Sequence, residues 1–147
     1  LNMNENGKAK RALDKCEQDA DWNNAMGVIA LRDADYGQAG RYFAAAGNET
    51  AKENLAVIDV LNGNYKEAAA KLAGKKCFNA ALVALLNGNN APAAALKCES
   101  PQAAYLRAVA AARQGDAAGV KKNLEAAKKC DKLAARAEKD VEFAQYR

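Results

Sequence analysis

Residues 22–46, WNNAMGVIALRDADYGQAGRYFAAA, decide the fold, because they read as one helix, a tight turn and a second helix. Trp22, Ala25, Met26, Ile29 and Ala30 recur at spacings of three and four, the period that places side chains on one helical face. Asp21 stands where an N-cap belongs. The turn Asp33-Ala34-Asp35 leads into Tyr36, Ala39, Phe43 and Ala46, a second amphipathic face. Two helices joined this tightly are expected to lie antiparallel.

The same pattern recurs along the chain. Tyr65, Ala68, Ala69 and Leu72 repeat Tyr36, Ala39, Gly40 and Phe43 position for position, after the turn Asn62-Gly63-Asn64. Thr50 and Glu53 have the form of a capping box for the helix before that turn, whose stripe is Leu55, Ile58 and Leu61. A third unit carries Phe78, Ala81, Leu82, Leu85 and Leu86, turns at Asn87-Gly88-Asn89-Asn90, and resumes at Ala91-Pro92 with room only for a short second helix. Ser100-Pro101 caps and starts the fourth, which runs through Ala104, Tyr105, Ala108 and Ala112 and turns at Gln114-Gly115-Asp116. Val120, Leu124 and Ala127 then take the places of Ala39, Phe43 and Ala46.

At the amino end, Asn6-Gly7 reads as turn chemistry followed by a stripe of Ala9, Ala12, Leu13 and Cys16. At the other end, Leu133, Ala134, Ala137, Val141 and Ala144 predict one last helix, with Phe143 beside the stripe. The expectation is a single all-α domain over 1–147, an α-solenoid of stacked antiparallel helix pairs. It comprises a partial repeat at 6–18, repeats at about 21–47, 49–74, 76–98 and 100–129, and a C-terminal capping helix at 131–146.

Composition agrees with that class. A chain of 147 residues can bury roughly 70% of its unfolded surface unaided. Ala dominates the apolar half, and Gly (10) and Pro (2) are few, which favours closely approached helices. The net charge of +4 comes from 22 basic and 18 acidic residues of interspersed sign, a solvated surface rather than a nucleic-acid arm. No run approaches the roughly 18 apolar residues of a membrane span, and Leu1–Gly7 lacks a charged segment followed by an apolar one.

Gly27, Tyr36, Ala39, Phe43 and Ala46 resemble the tetratricopeptide signature, in which a small residue lets paired helices approach and an aromatic follows the turn. Leu55, Ala56, Gly63, Tyr65, Ala68 and Leu72 match it again, and Ala108, Gly115, Leu124 and Ala127 match more loosely. The third unit departs, with Asn90 where Tyr stood and Leu96 one position early. Asn23–Val28 together with Ala137–Ala144 also resembles repeat tails on cell-envelope proteins of Bacteroidetes. What these resemblances imply is a protein-interaction module in a periplasmic or cell-envelope setting, the cytoplasm being the alternative.

No catalytic residue, metal ligand set or cofactor is expected. The chain has no His, which removes Ser-His and Cys-His pairs. Asp33 with Asp35, and Glu138 with Glu142, read as caps and solvated faces. Asn48-Glu49-Thr50 fits a glycosylation sequon and is assigned no function, since Thr50 reads as a helix cap. Cys16, Cys77, Cys98 and Cys130 lack zinc spacing. Cys77 opens the first helix of the third unit and Cys98 closes the second, so either they pair in a disulfide or both are small buried thiols. In stacked helical pairs the first helices line the concave side, which marks Asp21, Asn24, Val28, Arg32, Glu53, Val57, Phe78, Leu82, Tyr105, Val109 and Arg113 as groove lining for a protein or peptide partner. A terminal helix of the same chain is the other occupant that could fill that groove. The alternative function is nucleic-acid binding through Lys121, Lys122, Lys128, Lys129, Lys132 and Arg136, a patch diluted by Glu125, Asp131, Glu138, Asp140 and Glu142.

Overall fold

The Asx- and Gly-bearing turns at 33–35, 62–64, 87–90 and 114–116 each end one helix and begin the next. The structure is a computed structural model that describes residues 3–147, with side chains from Glu5 onward; the amino-terminal reading over Leu1–Asn4 lies in part outside the described residues. Among the described residues every regular element is helical. The chain divides into two compact units, one ending at Leu72 and the other running Ala73–Arg147.

The first unit holds α1 (Met3–Leu13), α2 (Ala20–Arg32), α3 (Tyr36–Ala46), α4 (Glu49–Leu61) and α5 (Tyr65–Lys71), each packed on its neighbour in sequence. Asn6-Gly7 is not a turn but lies inside α1. Asn6 and Lys10, one helical turn apart, both reach Asp33 at the end of α2, at 2.7 and 3.1 Å, and that tertiary anchoring overrides the local turn preference. The helix ends at Leu13, so Ala12 and Cys16 are exposed rather than part of a buried stripe.

Two caps fall two residues earlier than expected. Asp19, not Asp21, accepts from the Trp22 backbone amide at 2.8 Å and starts α2. Asn48, not Thr50, caps α4 by accepting from the Ala51 amide at 3.0 Å. Asn48 is preferred because its Oδ1 also accepts from Asn24 Nδ2 at 3.0 Å, so one oxygen serves both the helix end and the preceding pair.

Gly27 is where α2 and α3 come closest. A Cβ at that position would stand 2.5 Å from Phe43 Cε1, and Phe43 itself is fully buried. The equivalent small residues Ala56, Ala81 and Ala108 are likewise buried in their own helix pairs. The turns differ in one respect: Gly63, Gly88 and Gly115 take left-handed backbone angles with φ of 79°, 82° and 75°, whereas the first turn asks the same of Ala34, at φ 60°.

The second unit holds α6 (Phe78–Leu86), α7 (Ala91–Ala94), α8 (Pro101–Arg113), α9 (Ala117–Ala127) and α10 (Asp131–Ala137), followed by a 3-10 segment over Val141–Tyr146, which together with its N-cap Asp140 is here termed the strap. The four-residue α7 is the short second helix expected after Pro92. Ser100 caps α8 through the Ala103 amide, with Pro101 at the first helical position. Nine residues of α8 are buried, against α9 on one side and against α6 and the strap on others.

The expected helix over 131–146 is broken. α10 stops at Ala137, and Asp140 caps a new start by accepting from the Glu142 amide at 3.1 Å. The break follows from burial: Phe143, beside the stripe in a continuous helix, is 1% exposed against α8, while Val141, in the stripe, is 82% exposed.

Candidate functional site

Two helices of the second unit present matching faces. Phe78 and Leu82 stand one turn apart on α6, and Tyr105, Val109 and Arg113 follow one another at every fourth residue of α8, so each set shares a stripe. All five side chains expected of the groove in this unit line a single cavity of about 470 Å³, together with Leu86, Leu133 and Arg136. Tyr105 and Val109 are also core residues, 6% and 8% exposed.

The cavity's other wall comes from the C-terminal segment, the second occupant that the sequence offered, although its residues Asp140, Val141 and Glu142 were not among those expected to line the site. Glu142 Oε1 accepts from Arg113 Nε at 2.9 Å and from Nη2 at 2.6 Å, while Arg113 Nη1 donates to the Leu85 carbonyl at 2.8 Å. Arg113 therefore ties the end of α6 to the strap with a charge-assisted fork. Asp140 accepts from the Tyr105 hydroxyl at 2.5 Å, and Phe143 stacks edge-on to the Tyr105 ring with centroids 5.6 Å apart. Tyr146 donates to the Ala112 carbonyl at 2.9 Å, and Arg136 lies over the Tyr105 ring at 5.6 Å.

Burial, and then the Asp140 carboxylate, push the Tyr105 phenol up to about 12. One signal for this cover was present in the sequence. The run Ala103–Ala112 is apolar but for Arg107, and a helix without a polar face must be covered all round.

Arg107 is used elsewhere. It donates through Nη1 to the Leu96 and Cys98 carbonyls at 2.8 and 2.7 Å and through Nε to Asn123 at 3.0 Å, pinning the link after α7 to α8 and α9. Beside that link Cys77, Leu96, Lys75 and Lys97 help to line a second cavity of about 450 Å³. All four cysteines are free thiols; Cys77 stands at the N-terminal end of α6 without a side-chain capping hydrogen bond, and Cys98 lies in the link beyond α7 rather than at its end. The Cys98 thiol donates to Ser100 Oγ at 3.5 Å, and its pKa is held below the usual thiol range by Ser100, with Arg107 adding to the effect. The six basic residues of the nucleic-acid alternative are all exposed.

In the first unit the expected groove residues have mixed roles. Arg32 lines a cavity of about 460 Å³ with Lys10 and Asp33, whose carboxyl is held below its ordinary range by hydrogen bonds from Asn6 and then Lys10. Asn24 is used structurally through Asn48, and Val28 packs on the core around Phe43. Glu53 and Val57 are half-buried, and Asp21 is exposed in the first turn of α2.

Among the described residues no group of three or more His, Cys, Asp or Glu side chains could hold a metal ion, and no helix is long and apolar enough to cross a membrane. Comparison with family models, with curated proteins and with solved structures returned no match.

Proposed function

We propose that the protein is a noncatalytic interaction scaffold whose helix pairs are tetratricopeptide-like repeats, and that the faces of α6 and α8 bind a segment of another protein. The observation that carries this reading is the convergence of Phe78, Leu82, Tyr105, Val109 and Arg113 on one cavity. Its walls are mostly aliphatic and aromatic, with the Arg113 and Arg136 guanidiniums, the Tyr105 phenol, the Gln102 amide and the Asp140 and Glu142 carboxylates as the polar groups, a composition suited to anchoring one or two side chains of a peptide. Arg113 is held by the Leu85 carbonyl through Nη1, and its Nε and Nη2 already hold a carboxylate, that of Glu142, so the guanidinium is oriented for that kind of group.

The test is selection of random displayed peptides against the full chain, followed by amide chemical-shift mapping of the selected sequences. Binding that perturbs α6 and α8 supports the reading, and a footprint that spares both overturns it. Failure to select any sequence overturns it as well. Tight and steeply salt-dependent binding of single- or double-stranded nucleic acid near about 50 mM salt would replace it with the other function.

A further inference from the structure

The strap gives the α8 face a chemistry that can be read from what it holds. Two donors, Arg113 and the Tyr105 hydroxyl, take the carboxylates of Glu142 and Asp140, and the slot beside Tyr105 takes the ring of Phe143. We propose that this face is the docking site for a short acidic–aromatic peptide segment of a partner protein, and that the strap occupies it in cis as an autoinhibitory stand-in. The inference rests on the interaction-scaffold reading and names the partner class for its second-unit face.

Three features make the strap displaceable. It is a 3-10 segment, whose hydrogen bonds have poorer geometry than those of an α-helix. Phe143 is its one fully buried side chain, and the Arg113–Glu142 pair stays partly solvated, at 32% and 27% side-chain exposure. Most tellingly, the strap leaves the adjoining cavity of about 470 Å³ unfilled: Val141 points its side chain mainly to solvent at 82% exposure, and Leu86 remains 40% exposed.

A tethered segment competes at an effective concentration on the order of millimolar. A partner wins only through contacts that the strap does not make. A segment with the Glu-Phe pair of residues 142–143 plus one Leu or Met side chain could place that side chain against Phe78, Leu82 and Leu86, burial that Val141 does not provide. The favoured ligand is therefore a carboxylate, an adjacent aromatic and a nearby long aliphatic. Charge complementarity with Arg113 and Arg136 favours the acidic member.

Two labelled peptides provide the test, one with the sequence of residues 138–147 and one with the same sequence carrying Leu in place of Val141. Binding to the full chain is followed by fluorescence anisotropy, and opening of the strap by amide exchange at residues 141–146. Expected are weak binding of both peptides to the wild type, with the Leu peptide the tighter, and about ten-fold or greater strengthening on Phe143→Ala as the strap loosens. Glu142→Gln is the milder variant should Phe143→Ala lose helical circular dichroism, and it should strengthen binding in the same direction. Arg113→Gln in the protein should abolish binding.

The inference is overturned if a variant opens the strap with the helices intact and neither peptide binds below about 1 mM. It is also overturned if Arg113→Gln leaves binding unchanged, or if the wild type forms a dimer that Arg113→Gln dissolves, since a second copy is then the occupant. In the first case displayed peptides of other sequence that still map to α6 and α8 would keep the scaffold reading alive, so the two failures are separable.

Discussion

Replacing Gly27 by Ala should destabilise the first unit, although the same change elsewhere in a helix stabilises it. The new Cβ would stand 2.5, 2.6 and 2.9 Å from Phe43 Cε1, Cδ1 and Cζ. Ordinary carbon contacts lie at about 3.5–4.0 Å, so ring and helix must part by about 1 Å. Phe43 is 0% exposed and has no solvent to retreat into. Overpacking of this kind costs about 1–3 kcal/mol, against which Ala in place of Gly returns about 1 kcal/mol of helix propensity. The net expectation is a loss of about 1 kcal/mol.

Gly40 on α3 is the control, because a Cβ there meets nothing within 4 Å, and Gly40→Ala should gain about 0.5–1 kcal/mol. The chain also contains the remedy. In the second helix pair the equivalent positions hold Ala56 and Leu72, both buried, so Phe43→Leu should rescue Gly27→Ala with a coupling of about 1 kcal/mol or more. Trp22, the single tryptophan, stacks edge-on to Tyr42 at 5.7 Å, and urea unfolding followed by its fluorescence reports this unit directly. Gly27→Ala as stabilising as Gly40→Ala, or additivity with Phe43→Leu, would refute the close-approach reasoning.

Other outcomes follow from single residues. Ala34→Gly should stabilise the first unit by about 0.5–1 kcal/mol by relieving a left-handed backbone at φ 60°, and Gly63→Ala should do the reverse; urea midpoints read by Trp22 fluorescence decide both. Asn48→Ala should cost about 1 kcal/mol or more while Thr50→Ala stays within about 0.5 kcal/mol in the same assay, because Asn48 holds the Ala51 amide and Asn24. Tyr105 should make the second unit sensitive to alkali. Its phenol is raised from 10 to about 12 in the folded chain, so its contribution is fully present below pH 10 and is lost as pH rises through about 12. Circular-dichroism melts should show the difference between wild type and Tyr105→Phe shifting against the wild type by at most about 2–3 kcal/mol between pH 9 and pH 12, and a constant difference would count against the buried phenol.

The turns and the helix pairing were legible because each turn carries its own chemistry. Asn62-Gly63-Asn64 and Gln114-Gly115-Asp116 each mark a left-handed cap, unlike Asn6-Gly7, which a contact to Asp33 keeps helical, and Gly27 with Phe43 states a close approach in two residues. Caps were harder, since Asp19 and Asp21, or Asn48 and Thr50, are locally interchangeable and a tertiary partner such as Asn24 decides between them. The last helix was misread for a related reason. The 3.6-residue period runs unbroken through Val141 and Ala144, and only the demand of α8 for a ring against Tyr105 breaks it at Asp140. The α6 and α8 lining could be picked out by helical spacing and a terminal segment could be named as an occupant, whereas the residues by which that segment holds the face could not, because their contacts span 29 to 35 residues.

The four-residue α7 carries a consequence for how the second unit comes apart. A helix that short has no intrinsic stability, and α6 contains no charged residue to support it alone, so the third pair exists only through its interfaces with α8. Its own folding term is then unfavourable, and its stability resides in its coupling to α8. The second unit should therefore open as one cooperative block, with α6 amides exchanging at the same free energy as those of α8, and excising residues 78–94 should destabilise α8 and α9 rather than leave them intact.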